Sequence, residues 1–474
     1  MKRTNIVFIL SDDQGAWAMG CVNNPEIITP NLDRLAKEGV LLNNFFCASP
    51  VCSPARASLL TGQIPSQHGV HDWLIDDATD KEEIEYLKKQ VGYTDILNDK
   101  GYVCGLSGKW HLGKSSTPQK GFKHWFAHKS GGGPYYNAPL YKEGKLINDT
   151  RYVSDVISED AIKFIEEYKN EPFYLQVGFT APHGPWVNNH PKEYTDLYKD
   201  CTFETCKMEG LHPDAIYLTK EVLQDERANQ IGYYAAVTAM DANIGKIIDK
   251  LEELNLRENT LIIFTSDNGF SCGQHGFWGK GNGTFPINLF DTSLKVPFIA
   301  SQPGRIKENT KIDSLISAYD FMPTLLDYLD IEYENKYLPG KSFSLLLKGK
   351  KEEINNEVVI LDEYGPNRCI RTHEYKYIKR YPYGPDEFYD LIKDPKELHN
   401  EIINSEYKTR IEEFNKRLEA WFLNYVNPKI DGSKEAVFGC GQFELAGIYA
   451  NGKKSYAEDD YLKETATYCA LQRR

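Results

Sequence analysis

No stretch of this 474-residue sequence approaches the roughly 18 consecutive apolar residues of a membrane-crossing helix, so no helical membrane span is expected. An excess of positive charge is also missing. The 55 Lys and Arg residues stand against 68 Asp and Glu, for a net charge of −13. Nucleic-acid binding needs clustered cations against phosphates, so nucleic acid is not an expected partner, whereas a small anion held by a few local cations is compatible. The cysteines lack paired spacing: the ten of them fall at 21, 47, 52, 104, 201, 206, 272, 369, 440 and 469. Scattered in this way they read as free thiols and not as a disulfide framework. No internal repeat and no low-complexity tract is visible. The opening "MKRTNIVFILSDDQG" is basic and then apolar, but the apolar run Ile6–Leu10 is five residues long and two aspartates follow closely. A secretory hydrophobic region takes about 7–15 residues. The stretch is therefore expected to be a buried first strand, and the protein to be cytoplasmic.

What is present is an alternation. The short apolar runs "NIVFIL", "YVCGLSG", "PFYLQVGF", "TLIIFTSDNG" and "VPFIAS" are bounded by turn residues, as suits strands covered on both faces of a parallel sheet. Between them lie helical stretches, "PNLDRLAKEGV", "EDAIKFIEEYK" and "YYAAVTAMDANIGKIIDKLEEL". The first begins at Thr29-Pro30, an N-cap followed by proline in the first helical position. The fold expected is α/β, with a large, mainly parallel (mixed) central sheet flanked by helices. A chain of this length exceeds one core, and the pattern changes near residue 350. Strand-like runs "VVILDEY", "NRCIRTHEYKYIKRY" and "DEFYDL" then precede the amphipathic "YKTRIEEFNKRLEAWFLNYV". The expected division is a catalytic domain over 1–350, a small antiparallel sheet with one helix over 351–430, and a tail over 431–474 packing near the active-site side.

Ligands of open α/β sheets bind beyond the carboxyl ends of the strands, and there the chemistry collects. Asp12 and Asp13 follow "NIVFILS", and Asp267-Asn268-Gly269 follows "TLIIFTS". One Asp-Asp pair alone reads as a turn or helix cap. Two acidic clusters with the same placement instead offer hard oxygen ligands for Ca²⁺ or Mg²⁺. "GKWHLGK" follows "YVCGLS" and brings Lys109 and His111, while "APHGP" follows "PFYLQVGFT" and brings His183. Cys52 lies between two prolines in "SPVCSPARASLLTG", with Arg56 four residues on. By itself it reads as a structural thiol, a nucleophile, a metal ligand or a precursor of another group.

The stretch Cys52-Ser53-Pro54-Ala55-Arg56 resembles the C-x-P-x-R motif of the type I, formylglycine-dependent sulfatases of the alkaline-phosphatase-like superfamily. The likeness covers almost the whole chain: "SDDQG", "TPNLDRLAKEGV", "CSPARASLLTG", "GKWHLG", "APHGP", "TSDNG", "GKG" and "DTSLKVPFI" stand in the family's order. The resemblance implies an alkaline-phosphatase-like fold and a sulfuric ester hydrolase. It implies that Cys52 is oxidised by a maturation enzyme, a transient partner, to formylglycine, whose aldehyde is hydrated to a geminal diol. One hydroxyl attacks sulfur and releases the alcohol; deprotonation of the other expels sulfate and restores the aldehyde. Asp12, Asp13, Asp267 and Asn268 match the family's metal ligands, completed by the modified Cys52, with Ca²⁺ the usual ion. Arg56 matches the arginine beside formylglycine, and Lys109 and Lys280 (in "WGKG") match the lysines on the sulfate oxygens. His111 matches the histidine at the second hydroxyl, and His183 the one that protonates the leaving oxygen.

The substrate implied is a small carbohydrate sulfate: a sulfated hexose or N-acetylhexosamine, of glycosaminoglycan or mucin type. Its expected contacts are His71, Asp72 and Trp73 in "GVHDWL", His275 in "GQHG", Arg368 and His373 on a C-terminal hairpin, and the "GCGQFE" loop. Two other readings stay open, a phosphonate or phosphate ester hydrolase of the same superfamily and a non-catalytic glycan-binding relative. The oligomeric state is left open.

Overall fold

The computed structural model describes residues 3–75, 83–334, 337–350 and 360–458. The expected boundary at 351 and the end of the 431–474 tail, with Cys469, lie outside the described residues. Ten strands form the main sheet: β1 (Asn5–Ser11), β2 (Val40–Leu42), β3 (Val103–Lys109), β4 (Phe122–His128), β5 (Ala138–Lys142), β6 (Lys145–Asp149), β7 (Phe173–Gly178), β8 (Thr260–Ser266), β9 (Phe298–Ser301) and β10 (Thr310–Ile312). Their order across the sheet is β10-β2-β9-β8-β1-β7-β3-β4-β5-β6. Neighbours run parallel from β8 through β1, β7 and β3 to β4. β9 is antiparallel to both of its neighbours, as are the β4–β5 and β5–β6 pairs. The sheet is thus mainly parallel and mixed, as the alternation of runs suggests.

β1 is buried throughout because both faces of its neighbourhood are covered. Its alternate residues serve two cores. Val7 and Ile9 pack with the helices Val153–Tyr168 and Glu226–Glu253, while Ile6, Phe8 and Leu10 pack with the helix Cys52–Thr61. α1 (Pro30–Lys37) carries the proline at its first position, yet the Thr29 hydroxyl does not cap it. That hydroxyl donates to Asp33 Oδ1 at 3.1 Å, and the first amides, of Asn31 and Leu32, donate instead to the Asp241 carboxylate at 3.1 and 2.8 Å. A buried carboxylate from a distant helix meets the positive end of α1 better than a neighbouring hydroxyl does. α2 (Cys52–Thr61) is buried at every residue. α3 (Val153–Tyr168) and α4 (Glu226–Glu253) each begin before the helical stretches read from sequence.

A second sheet, β11 (Ile360–Tyr364), β12 (Asn367–Arg371), β13 (Tyr375–Arg380) and β14 (Glu387–Asp390), is antiparallel in sequential order. Against it α5 (Lys408–Tyr425) buries Phe414, Leu418 and Phe422 on Ile370, Tyr377 and Phe388. Among the described residues no helix is long and apolar enough to cross a membrane, and nine cysteines are free thiols. Adjacent parallel strands point their carboxyl ends the same way, so β8, β1, β7 and β3 deliver Asp267, Asp12, the loop to His183, and Lys109 to one edge.

Candidate active site

At that edge the carboxylates of Asp12, Asp13 and Asp267 and the thiol of Cys52 offer ligand atoms all within 4.8 Å of one another. All four residues are buried. Cys52 is the first residue of α2, and its Sγ lies 3.3 Å from Asp12 Oδ1. One turn on, Arg56 donates from Nε to Asp267 Oδ2 at 2.8 Å, with Nη2 4.0 Å from Asp12 Oδ1. Lys109 Nζ donates to Asp12 Oδ2 at 2.5 Å. Lys280 Nζ donates to Asp13 Oδ1 and to Cys52 Sγ, both at 2.6 Å. The Asn268 side chain donates to Asp13 Oδ1 at 2.9 Å, while its own Oδ1 is buried without a hydrogen-bond partner. Asp13 stands in left-handed backbone (φ 60°), and its carbonyl accepts from Tyr233 Oη at 2.9 Å.

Three carboxylates face three cations, Arg56, Lys109 and Lys280, so the buried cluster is neutral as it stands. Burial and the Asp267 and Asp13 charges, opposed by Lys109 and His183, leave the Asp12 carboxyl above the usual carboxylate range. Burial acts the same way on Asp13 and Asp267. There the nearby cations (Lys280 and His183 for Asp13; Arg56, Lys109 and Lys280 for Asp267) win, and both carboxyls are held low. Burial and the Asp12 charge push the Cys52 thiol well above its ordinary value. A thiol so disposed is a poor thiolate nucleophile. The three carboxylate groups and the unpartnered Asn268 Oδ1 form the all-oxygen donor set that suits a hard divalent cation, so the residues fit the metal that the motif implies.

A cavity of about 750 Å³ opens over Cys52 and Asp13. His111, Lys280 and His183 line it. His183 Nε2 is 3.7 Å from Asp13 Oδ2, and its Nδ1 meets the Gly184 carbonyl at 2.7 Å. His111 Nε2 lies 3.0 Å from the Leu74 carbonyl. Burial and the Lys109 charge hold the His111 imidazole well below its ordinary value, so it is neutral. Arg56, Lys109, Asp12 and Asp267 sit beneath this surface and reach the cavity through Cys52 and Asp13.

Of the six expected sugar contacts, only Trp73 lines the cavity, its indole donating to the Gly439 carbonyl at 3.0 Å. His71 and Asp72 turn the other way. His71 is fully buried with Nε2 3.0 Å from the Ile430 carbonyl, and Asp72 accepts from Tyr364 Oη at 2.6 Å and Gly441 N at 3.0 Å. Both tie the catalytic region to the C-terminal segment. Arg368 pairs with Asp431 at 2.6 Å and lies over the Phe422 ring, and His373 is exposed on the turn between β12 and β13. His275 stacks on Phe290 with ring centroids 4.0 Å apart. Of the "GCGQFE" loop, Gly439 lines the cavity and Gln442 anchors the backbone amides of His71 and Asp72.

Sequence reading missed the Ser130-Gly131-Gly132 run after β4. A Cβ on Gly131 would stand 2.1 Å from His111 Cε1, and one on Gly132 2.8 Å from His183 Cε1. The glycine triplet in "KSGGGP" was the available signal, since glycine recurs where backbone approaches another group closely. Missed too were Trp186 and Asn282, which directly follow "APHGP" and "GKG", and Glu221 and Asn229, which line the cavity from segments without a recognisable motif.

Comparison with known proteins gives the same picture. The sulfatase family model matches residues 4–331, and that of the N-sulphoglucosamine sulphohydrolase C-terminal region matches 273–422. The chain is 27% identical to an N-acetylglucosamine-6-O-sulfatase of Bacteroides thetaiotaomicron, over 92% of this chain and 89% of that protein. It is 31% identical to an ulvan-active sulfatase of Formosa agariphila, over 88% and 80%. A solved structure holding its substrate D-glucosamine-2-N,6-O-disulfate superposes with a TM-score of 0.76 at 24% identity. That match covers 92% of this chain and all of the other, a likeness of fold.

Proposed function

This chain belongs to the sulfatase family, a family of sulfuric ester hydrolases, and from that premise we propose that it removes sulfate from a carbohydrate sulfate through Cys52 in its formylglycine form. The observation that carries the proposal is the placement of Cys52: at the start of a buried helix, between the Lys280 ammonium and the Asp12 and Asp13 carboxylates, on the floor of a cavity of about 750 Å³. A thiol with this pKa is ill-suited to attack, whereas a hydrated aldehyde there is held against several charged groups. Asp12, Asp13, Asp267 and Asn268 would hold the divalent cation, for which the family resemblance and the oxygen donors favour Ca²⁺. Such a cation, when bound, favours the ionised form of a nearby hydroxyl and draws sulfate oxygens towards it.

The protein's own groups account for the rest. Lys280, at the cavity surface, neutralises developing charge on the sulfate oxygens. Lys109, fully buried on Asp12, fixes that carboxylate and adds positive potential from beneath. Arg56 ties α2 to Asp267 and so holds residue 52 beside the carboxylates. His111, kept neutral with its Nε2–H on the Leu74 carbonyl, would take a proton at Nδ1 when sulfate is expelled. His183, whose Nδ1–H donates to the Gly184 carbonyl and whose ring is at the cavity, is placed to donate from Nε2 to the leaving oxygen in its imidazolium form, becoming neutral as it does so. The proposal extends to a cytoplasmic enzyme matured there, in keeping with the free thiols.

The test is a mass spectrum of the residue-52 peptide together with turnover of an aryl sulfate and a set of sulfated sugars. An aldehyde at residue 52 and sulfate release, both lost in Cys52→Ala, are expected. A fully active Cys52→Ala protein would end the assignment.

A further inference from the structure

The cavity contains more than the reactive corner. Beyond Asp13, His111, His183 and Lys280, the charged residue on its described lining is Glu221, exposed on the short helix Tyr217–Val222. Lys280, the lysine on that lining, is already engaged with Asp13 and Cys52. Asn229 and Asn282 also line the cavity: the Asn229 amide nitrogen donates to Asp225 O at 2.9 Å and Val222 O at 3.4 Å, and that of Asn282 donates one N–H to Gly439 O at 3.0 Å. Their side-chain oxygens, like the Glu221 carboxylate, can only accept. Trp73 and Trp186 add apolar ring surface. Away from the sulfate site, then, the cavity combines acceptors with aromatic faces and offers no cation among the described residues.

Resting on the sulfatase reading above, we infer that this cavity takes a sugar whose only anionic group is the sulfate being removed, and that Glu221 disfavours sugars bearing a second sulfate or a carboxylate. A neutral sugar brings hydroxyl and amide N–H donors to Glu221, Asn229 and Asn282, and apolar C–H faces to the tryptophans. A second sulfate or a uronate brings only acceptors and a like charge. It would shed water, meet the Glu221 carboxylate as a like charge, and find no cation beyond the sulfate site among the described lining residues. The substrate class is therefore the neutral, monosulfated hexose or N-acetylhexosamine, and glycosaminoglycan units with adjacent uronates or multiple sulfates are disfavoured.

The experiment compares N-acetylglucosamine 6-sulfate, N-acetylgalactosamine 6-sulfate and glucosamine 2-N,6-O-disulfate at low ionic strength. Turnover is measured on the mature enzyme, and binding by calorimetry on the Cys52→Ala protein. At least one monosulfated sugar is expected to exceed the disulfate by about 10-fold or more in both readouts. Glu221→Gln is expected to narrow that ratio about 5-fold, as is salt that shortens the screening length. A disulfate that binds and turns over as well as the monosulfates, or a ratio unmoved by Glu221→Gln, overturns the inference. So does a protein that binds none of the three sugars. Selective binding of a monosulfated sugar without any sulfate release would instead overturn the sulfatase reading and leave the selectivity standing.

Discussion

Substituting Gly131 by alanine should disable the enzyme without unfolding it, and the structure sets the size of the effect. The added Cβ would stand 2.1 Å from His111 Cε1, 2.3 Å from Nε2 and 2.6 Å from Nδ1. Restoring ordinary contact at 3.4 Å requires a displacement of about 1.3 Å. The imidazole cannot absorb this cheaply. It is held at Nε2 by the Leu74 carbonyl at 3.0 Å, and His111 itself occupies left-handed backbone (φ 55°), which resists adjustment. The Gly131 loop is pinned as well, through Ser130 Oγ on Gly132 O at 2.8 Å and the Ser130 amide on His128 Nδ1 at 3.3 Å. Overpacking of this kind costs on the order of 1–3 kcal/mol of stability, a fall of a few degrees in Tm for a protein of this size. Misplacing a proton acceptor by about 1 Å costs roughly 10²-fold in rate. Because His111 is assigned to sulfate expulsion, a step both substrates share after the alcohol has left, kcat should fall towards one common value on an aryl sulfate and a sugar sulfate, with the larger factor on the aryl sulfate, whose first step is the faster. Gly133→Ala is the control: its Cβ would meet only His128, at 3.2 Å, and it should retain most activity. Steady-state kinetics on both substrates with a melting curve for each variant make the assay. A Gly131→Ala enzyme within threefold of wild type would show that the loop yields and does not place His111.

His183→Ala should lose roughly 10²–10⁴-fold on a sugar sulfate, whose leaving oxygen needs a proton, and far less on an aryl sulfate; equal losses on both would end its role as acid. Lys280→Ala, which touches Asp13 and Cys52 but no leaving group, should lower kcat/KM on both substrates alike. Chelation should lower both activity and Tm by leaving Asp12, Asp13 and Asp267 without the ion they would share, with Ca²⁺ restoring both; a chelator with no effect and a metal-free elemental analysis would refute this. Asp362 is buried with both carboxyl oxygens unpartnered, and burial lifts its carboxyl to about 8 from the usual 3.8. The folded protein therefore holds a proton that the unfolded chain releases above pH ~4, so stability falls as pH rises through that interval. Asp362→Asn should flatten the decline of Tm between pH 5 and 8, and an unchanged slope would contradict the assignment.

The reacting corner was legible from the chain because its residues lie at the ends of buried apolar runs. Asp12 and Asp13 close β1 and Asp267 and Asn268 follow β8, and parallel strands must bring such ends together. That Cys52 itself begins α2 was decided by the structure, although Pro54 in the first turn and the small residues after Arg56 suit a helix there. What local spacing could not decide was where loop side chains point. His71, Asp72 and Trp73 are consecutive, yet Trp73 faces the cavity while His71 and Asp72 are drawn to Ile430, Tyr364 and Gly441, between 290 and 370 residues away in the chain. Nor does spacing reveal that Gly131 and Gly132 press on two histidines, that His275 rests on Phe290, or that Asp241 caps α1 from another helix. Short-range sterics and hydrophobic periodicity act over a few residues and so can be read in order. The direction of a loop side chain is set by whichever distant groups satisfy its hydrogen bonds and fill its volume, and those become neighbours only once the chain has folded.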